Sequence, residues 1–196
     1  MQHKYLKLFL AIMFCLGLTV LQAQTVKDSD GNVYKTITIG TQVWMAKNLK
    51  TTKYRNGDLI RTTFPATLDI SLESTPKYQW AYDGDESNVN TYGRLYTWYA
   101  VTDTRNVCPT GWHVPGDAEW STLTTFLGGD NVEGGKLKEA GIIHWQEPNE
   151  GATNSSGFTA LPGGYCKYDG AFDHFGYSGF WWSSTEDSTS SAYYRY

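Results

Sequence analysis

The sequence predicts a loop-rich α+β fold, and three observations carry that prediction. Residues 117–127 repeat their apolar side chains at helical spacing, whereas residues 33–39 alternate as a strand does. Gly 20, Tyr 14 and Trp 8 stand beside only 18% charged residues, a mixture that supplies turns and aromatic packing rather than long amphipathic helices. At 196 residues the chain suits one domain with a core of respectable size.

The first element is an export signal. Lys4 and Lys7 precede an apolar run over residues 8–21, and Gln22-Ala23 offers a small residue for cleavage. The expected division is a signal peptide over 1–23 and a mature chain over 24–196. The run is shorter than the roughly 20 residues a membrane span needs. Cys15 follows Phe14 inside the apolar run, where a lipidation site wants a small residue, so an exported chain without a membrane span is expected. Removing Lys4 and Lys7 with no acidic residue takes the formal charge from -4 to -6. That mild acidity, without any basic run, argues against nucleic acid or an anionic membrane as partner.

The first strand of the mature chain is expected at Val33–Ile39, opened by the Asp30-Gly31 turn and ended by Gly40. Tyr34, Thr36 and Thr38 share one face; Val33, Lys35, Ile37 and Ile39 share the other. Over residues 61–77 the pattern permits two readings: Leu68, Ile70 and Leu72 alternate with polar residues, yet 68–72 also fits one helical turn. Trp112 and Val114 suggest a short strand that runs through Pro115 into the helix. That helix opens with Asp117 and Glu119, whose charge suits the positive end of its dipole. Trp120, Leu123, Thr124 and Leu127 form its buried face, and Gly128-Gly129 stops it. Its N-cap is Gly116, a weaker cap than a hydroxyl. A final hairpin is expected from 181–185 and 192–196, joined by a polar tip at 188–191.

Residues 108–120, Cys-Pro-Thr-Gly-Trp-His-Val-Pro-Gly-Asp-Ala-Glu-Trp, closely resemble the signature of the Fibrobacter succinogenes major paralogous domain family. Residues 30–50 resemble that family's opening, 92–101 its central aromatic helix, and 151–164 and 179–186 its later blocks. The resemblance implies secreted or surface proteins of bacteria such as Bacteroidetes and Fibrobacter, with a C-type-lectin-like fold: short antiparallel sheets, two or three helices and long loops. It brings no well-defined common activity. Family members continue into a further block with a second cysteine, so the resemblance implies a C-terminally truncated domain. Lectin-like folds pair their first strand with their last, which leaves strand Val33–Ile39 with an expected open edge.

Cys108 and Cys166 remain after export. In an oxidising compartment the pair invites a disulfide; two free thiols are the other reading. The turn Asp83-Gly-Asp-Glu-Ser-Asn88 offers Asp83, Asp85 and Asn88 as oxygen ligands of the kind Ca²⁺ takes, without the spacing of an EF-hand loop. Asp28-Ser-Asp30-Gly31 reads as an ordinary turn. Glu147-Pro148-Asn149 is similar to the sugar-binding tripeptide of C-type lectins, but the Trp-Asn-Asp triplet that completes that site does not occur in the sequence. No other cofactor is called for.

The candidate binding residues are Trp181, Trp182, Ser184, Tyr194, Arg195 and Tyr196. Alternation sends Trp181 and Ser183 to one face and Trp182 and Ser184 to the other, so one tryptophan is core. The other face, with Tyr and Arg from the next strand, has the composition of a recognition surface. Some family members are implicated as targets of diversity-generating retroelements, which vary this part of a lectin scaffold. The expectation is a non-catalytic surface module that binds carbohydrate, or else a surface protein in an adhesive role. A structural component of the cell envelope is the third reading. Residues 114–120 also resemble formylglycine-generating enzymes, but the late cysteine pair of those enzymes is missing, and the four histidines form no catalytic pattern.

Overall fold

The computed structural model describes residues 24–188 and 191–196; the expected signal peptide and the centre of the expected hairpin tip lie outside them. Strand β1 (Thr25–Lys27) pairs antiparallel with β2 (Val33–Ile39), which pairs antiparallel with β3 (Gln42–Met45). The buried face of β2 changes along the strand: Tyr34 and Ile39, which alternation puts on opposite faces, are both buried, whereas Val33, on the face of Ile39, is exposed. The expected lack of a partner for β2 is not found: β1 pairs with Val33–Lys35 and β3 with Thr36–Ile39, one on each side.

The turn that leads into β2 is held by one carboxylate. Asp28 is buried and accepts from the N–H groups of Asp30 and Asn32, the Asn32 amide and the Tyr34 hydroxyl. Burial, then the bond to Asp28, pushes the Tyr34 hydroxyl far above its usual pKa. Asp30 in turn accepts from Thr51, Thr52 and Lys53. This Asp-Gly turn is structural.

Strand β4 (Gln79–Trp80), helix α1 (Val89–Tyr92), strand β5 (Leu95–Tyr96) and helix α2 (Trp98–Val101) follow. The segment expected as one aromatic helix over 92–101 is thus divided. Gly93 takes φ +77, with its α-carbon so close to Asn48 and the Leu49 carbonyl that a Cβ would clash. Leu95–Tyr96 then pairs with Gln79–Trp80 instead of continuing the helix.

Helix α3 (Asp117–Phe126) starts and stops where the pattern placed it, within one residue. No strand forms at Trp112 and Val114; both pack against the buried cluster of Tyr54, Ile60, Ala100, Val107 and Cys108. Arg55 holds that irregular stretch by donating to the carbonyls of Cys108, Pro109 and Trp112. Short helix α4 (Glu133–Leu137) precedes hairpin β6 (Gly163–Cys166)–β7 (Phe172–Phe175) and hairpin β8 (Trp181–Ser188)–β9 (Ser191–Arg195). The last hairpin exceeds the expected lengths by three residues on its first strand. Segment 61–77 adopts neither of its two readings: Ile70 is buried while Leu72 is exposed, and no helix or strand forms there.

The core falls into three clusters. One joins Ile39, Trp44, Trp120, Leu123, Leu127, Phe158 and Ala160; the second surrounds Val107; the third joins Ile70, Tyr78 and Trp80. No described helix is long and apolar enough to cross a membrane.

Candidate functional site

Hairpin β8–β9 carries the candidate residues, and its two faces diverge. Ser183 is fully buried, and Trp181 packs against the cluster of Trp44 and Phe158 while its indole N–H donates to Asn48. Trp182 turns the other way, and its N–H donates to the Tyr96 carbonyl at 2.8 Å. Both tryptophans are half-buried anchors with satisfied donors. Ser184 is exposed at its side chain, and its N–H donates to the Pro115 carbonyl.

The exposed aromatic surface is made of tyrosine. Tyr194, 49% exposed, lies 6.2 Å from the Trp182 ring; Tyr196, 86% exposed, stacks on Phe180 at 6.0 Å. Phe180 continues the shelf to Tyr165 at 4.8 Å, and Tyr165 stacks on His174. Phe180, Tyr165 and His174 were not among the expected site residues. Phe180 stood beside Trp181 in the sequence and was open to discovery. Tyr165 and His174 arrive from hairpin β6–β7, and nothing local marks them. A charged rim borders this end of the shelf: Lys167 lies over the Tyr165 ring and pairs with Asp173. The Asp173 bond is the first cause holding the Lys167 ammonium above its usual pKa.

Arg195 is engaged within the fold. It pairs with Asp117 in the first turn of α3, tying the last strand to that helix. The same helix end is served by Thr185 of β8, which accepts from the Asp117 N–H at 2.9 Å. Glu119 accepts from the Gly116 N–H and contacts His113.

Behind the shelf lies a cavity of about 940 Å³ that touches all three core clusters. Of the eight tryptophans, six line it: Trp44, Trp80, Trp112, Trp120, Trp181 and Trp182. A sealed void of that size would cost on the order of 20 kcal/mol at the usual penalty per unit volume, more than a domain's whole stability. It is open: the lining residues Tyr194 and Tyr168 are about half exposed. Among the described residues, six buried side-chain polar atoms have no partner; three of them, Gln42 Oε1, Trp44 Nε1 and Arg94 Nε, belong to residues that line the cavity, but the atoms themselves are turned away from its open space.

The expected oxygen-ligand turn serves local structure. Asp85 accepts from the Ser87 N–H, Asn88 donates to the Tyr82 carbonyl, and Asp83 sits at φ 55 within a 3₁₀ turn. Among the described residues no three His, Cys, Asp or Glu side chains gather to hold a metal. In the Glu147-Pro148-Asn149 tripeptide the proline bond is cis, and the Asn149 amide donates to the carbonyls of Glu139 and Gly141. The Cys108–Cys166 bridge is not formed: both are free thiols, and they pack in different clusters, Cys108 beside Val107 and Cys166 against the cluster of Ile70. Burial pushes the Cys108 thiol up to about 12 and the Cys166 thiol up to about 11, so both stay protonated at neutral pH.

An α+β frame of short antiparallel sheets thus displays an aromatic shelf over an indole-lined cavity. Residues 37–196 match the model of the Fibrobacter succinogenes major domain, and the chain belongs to that family. No curated protein and no solved structure matches the chain.

Proposed function

We propose that the chain is an exported, non-catalytic binding module with a C-type-lectin-like scaffold, and that its tyrosine shelf takes carbohydrate. The observation that carries this reading is the run Trp182–Tyr194–Tyr196–Phe180–Tyr165, in which consecutive ring centroids lie 4.8 to 6.2 Å apart and two rings are widely exposed. Sugar rings present flat C–H faces that pack on such a platform, and the tyrosine hydroxyls supply hydrogen bonds at its edge. The Lys167–Asp173 pair and Ser184 furnish polar groups at the rim. A buried Cys108 thiol and a half-buried Cys166 thiol, both protonated and packed in different clusters, support a non-catalytic reading over a formylglycine-generating one.

A second reading, recognition of a surface protein, is favoured by a different feature. The shelf is presented by tyrosine and serine, the residue types of protein-binding paratopes, while both tryptophans serve as anchors. A glycan array against a host-protein pulldown separates the two. Binding to a glycan set, lowered at least tenfold by Tyr196→Ala or Tyr194→Ala, is the expected result. Glycan silence with capture of one protein partner, lost in the same variants, replaces carbohydrate with protein.

A further inference from the structure

The cationic side chains of the described residues divide at position 53. From Lys53 to Arg195 every lysine and arginine ends on a carboxylate or a backbone carbonyl. Lys27, Lys35, Lys47 and Lys50 do not. Among the described residues none of these four has a carboxylate within salt-bridge distance, and Lys50 alone has a side-chain partner, the neutral Asn90 amide oxygen at 3.1 Å. Residues 24–53 hold five lysines and two aspartates, a net +3 in a chain whose formal charge is -4. Both aspartates are spent inside the fold, Asp28 on its own turn and Asp30 on Lys53 and two threonines.

Three of the unpaired lysines, Lys35, Lys47 and Lys50, line one pocket of about 250 Å³, and no described carboxylate lines it with them. Antiparallel pairing of β2 with β3 brings them together from separate stretches, so no basic run marks them in the sequence. Their backbone is fixed. The Ala46 N–H donates to the Lys35 carbonyl at 2.9 Å, which sets Lys47 beside Lys35, and the Lys50 N–H donates to the Tyr34 hydroxyl at 3.1 Å. Asn48, between the two later lysines, is locked by donating to the Tyr92 carbonyl and accepting from the Trp181 indole. Gly93 packs so closely on it that an added Cβ would stand 2.6 Å from the Asn48 Cβ.

Ammonium groups gathered on a locked frame repel one another and favour an anion among them. Lysine is a compact point charge without the fork by which arginine grips a planar carboxylate. Three such charges match the three terminal oxygens of a phosphate monoester, which carries about two negative charges at neutral pH. A sulfate ester has the same shape with one charge less; a carboxylate has two oxygens and one charge. At roughly 30 Å³ per water, the pocket's 250 Å³ exceeds what an oxyanion fills and admits part of the group that bears it. We infer that this pocket is a second binding site, apart from the shelf, for a phosphate monoester held by Lys35, Lys47 and Lys50. That the ester sits on a sugar rests on the carbohydrate reading; the oxyanion site does not.

The test titrates the protein with glucose 6-phosphate in low-salt buffer by isothermal calorimetry. Saturable one-to-one binding is expected, several-fold weaker for glucose 6-sulfate, about tenfold weaker for glucuronate and undetectable for glucose. Lys35→Gln, Lys47→Gln and Lys50→Gln should each lower the affinity about two- to fivefold, as for an exposed ion pair, and the triple variant should abolish binding. Lys27→Gln is the control, because Lys27 is equally unpaired but lies outside the pocket. Its loss should change the affinity by less than about twofold. Equal losses from Lys27→Gln and Lys47→Gln would mean that a diffuse field attracts the anion, and the site would fall. Absence of saturable glucose 6-phosphate binding by the unaltered protein, or capture by phosphatidylglycerol vesicles in its place, also overturns it. Inorganic phosphate binding as tightly as glucose 6-phosphate keeps the oxyanion site and removes the sugar from it. Tyr196→Ala should leave phosphate binding intact, so a silent glycan array beside intact phosphate binding refutes the carbohydrate reading of the shelf alone.

Discussion

Both carboxylate oxygens of Asp28 are filled, whereas Gln42, Trp44 and Arg94 each keep a buried polar atom without a partner. The two regions use similar groups at similar depth. Around Asp28 four donors converge from residues within six positions in sequence, so the turn closes on itself and nothing is left for a ligand. The contrast separates a carboxylate that closes its own turn from buried polar atoms that the fold leaves unpaired. The Asp28 turn, read in the sequence as an ordinary turn, is one whose bonds all close locally.

The sharpest way to break this contrast is to empty the satisfied side. Asp28→Ala would orphan the Tyr34 hydroxyl, itself fully buried, together with two backbone N–H groups. A loss of about 3 kcal/mol in urea unfolding is expected, since bonds to a charged acceptor are the stronger kind and buried donors left unmade are expensive. A loss below about 1 kcal/mol would mean that water replaces the carboxylate freely, and satisfaction would no longer mark a structural role.

Asp103 provides a second satisfied carboxylate with a pH readout. Its side chain is 4% exposed and accepts from Arg105, with Lys77 at 2.8 Å. Arg105 first, then Lys77, hold its carboxyl well below the usual carboxylate range, against the opposing pull of burial. A carboxylate with a depressed folded-state pKa stabilises the protein above its unfolded value, near 3.9, and that contribution is lost as pH falls through the acid range. Asp103→Asn should therefore cost about 1.5 kcal/mol at pH 7 and progressively less as pH falls below about 4, as the unaltered protein loses the same contribution. Denaturant titrations across that range check it; a difference independent of pH would assign the effect to packing.

What the sequence disclosed follows the range of the forces involved. Helix α3 was legible because its apolar spacing, acidic first turn and Gly128-Gly129 stop all lie within a dozen residues. Strand β2 and hairpin β8–β9 were legible for the same reason, down to the opposite faces of Trp181 and Trp182. Where a distant partner decides, local pattern misled. The stretch 92–101 is apolar enough for a helix, but pairing of Leu95–Tyr96 with Gln79–Trp80 divides it. Trp112 and Val114 alternate like a strand, yet Arg55, more than fifty residues earlier, fixes their backbone by taking its carbonyls. The shelf was half legible: Trp182, Tyr194 and Tyr196 belong to one hairpin, but Tyr165 and His174 reach it through tertiary packing. The cavity was not legible at all, because its walls come from all three clusters.

The smallest expected effect concerns the start of α3, where the satisfied pattern is built from two sides. Gly116 lacks a capping side chain, and by sequence alone Gly116→Ser should add one and stabilise the helix slightly. The structure shows the need already met. Thr185 accepts from the Asp117 N–H at 2.9 Å, and Glu119 accepts from the Gly116 N–H at 2.8 Å. Gly116 has an ordinary extended backbone at φ -78, so a side chain brings no strain. A Cβ there would meet Thr185 Oγ1 at 3.4 Å, within ordinary contact. A serine hydroxyl therefore enters a place whose nearest donors are taken, and its gain should stay within a few tenths of a kcal/mol of zero. Thermal melts of Gly116→Ser alone and with Thr185→Val separate the contributions. In the Thr185→Val background the serine should recover about 0.5 to 1 kcal/mol, because the Asp117 N–H and its neighbours then lack their acceptor. Equal effects in both backgrounds would show that Thr185 does not cap the helix, and that a hydroxyl from β8 is no substitute for one at the N-cap itself.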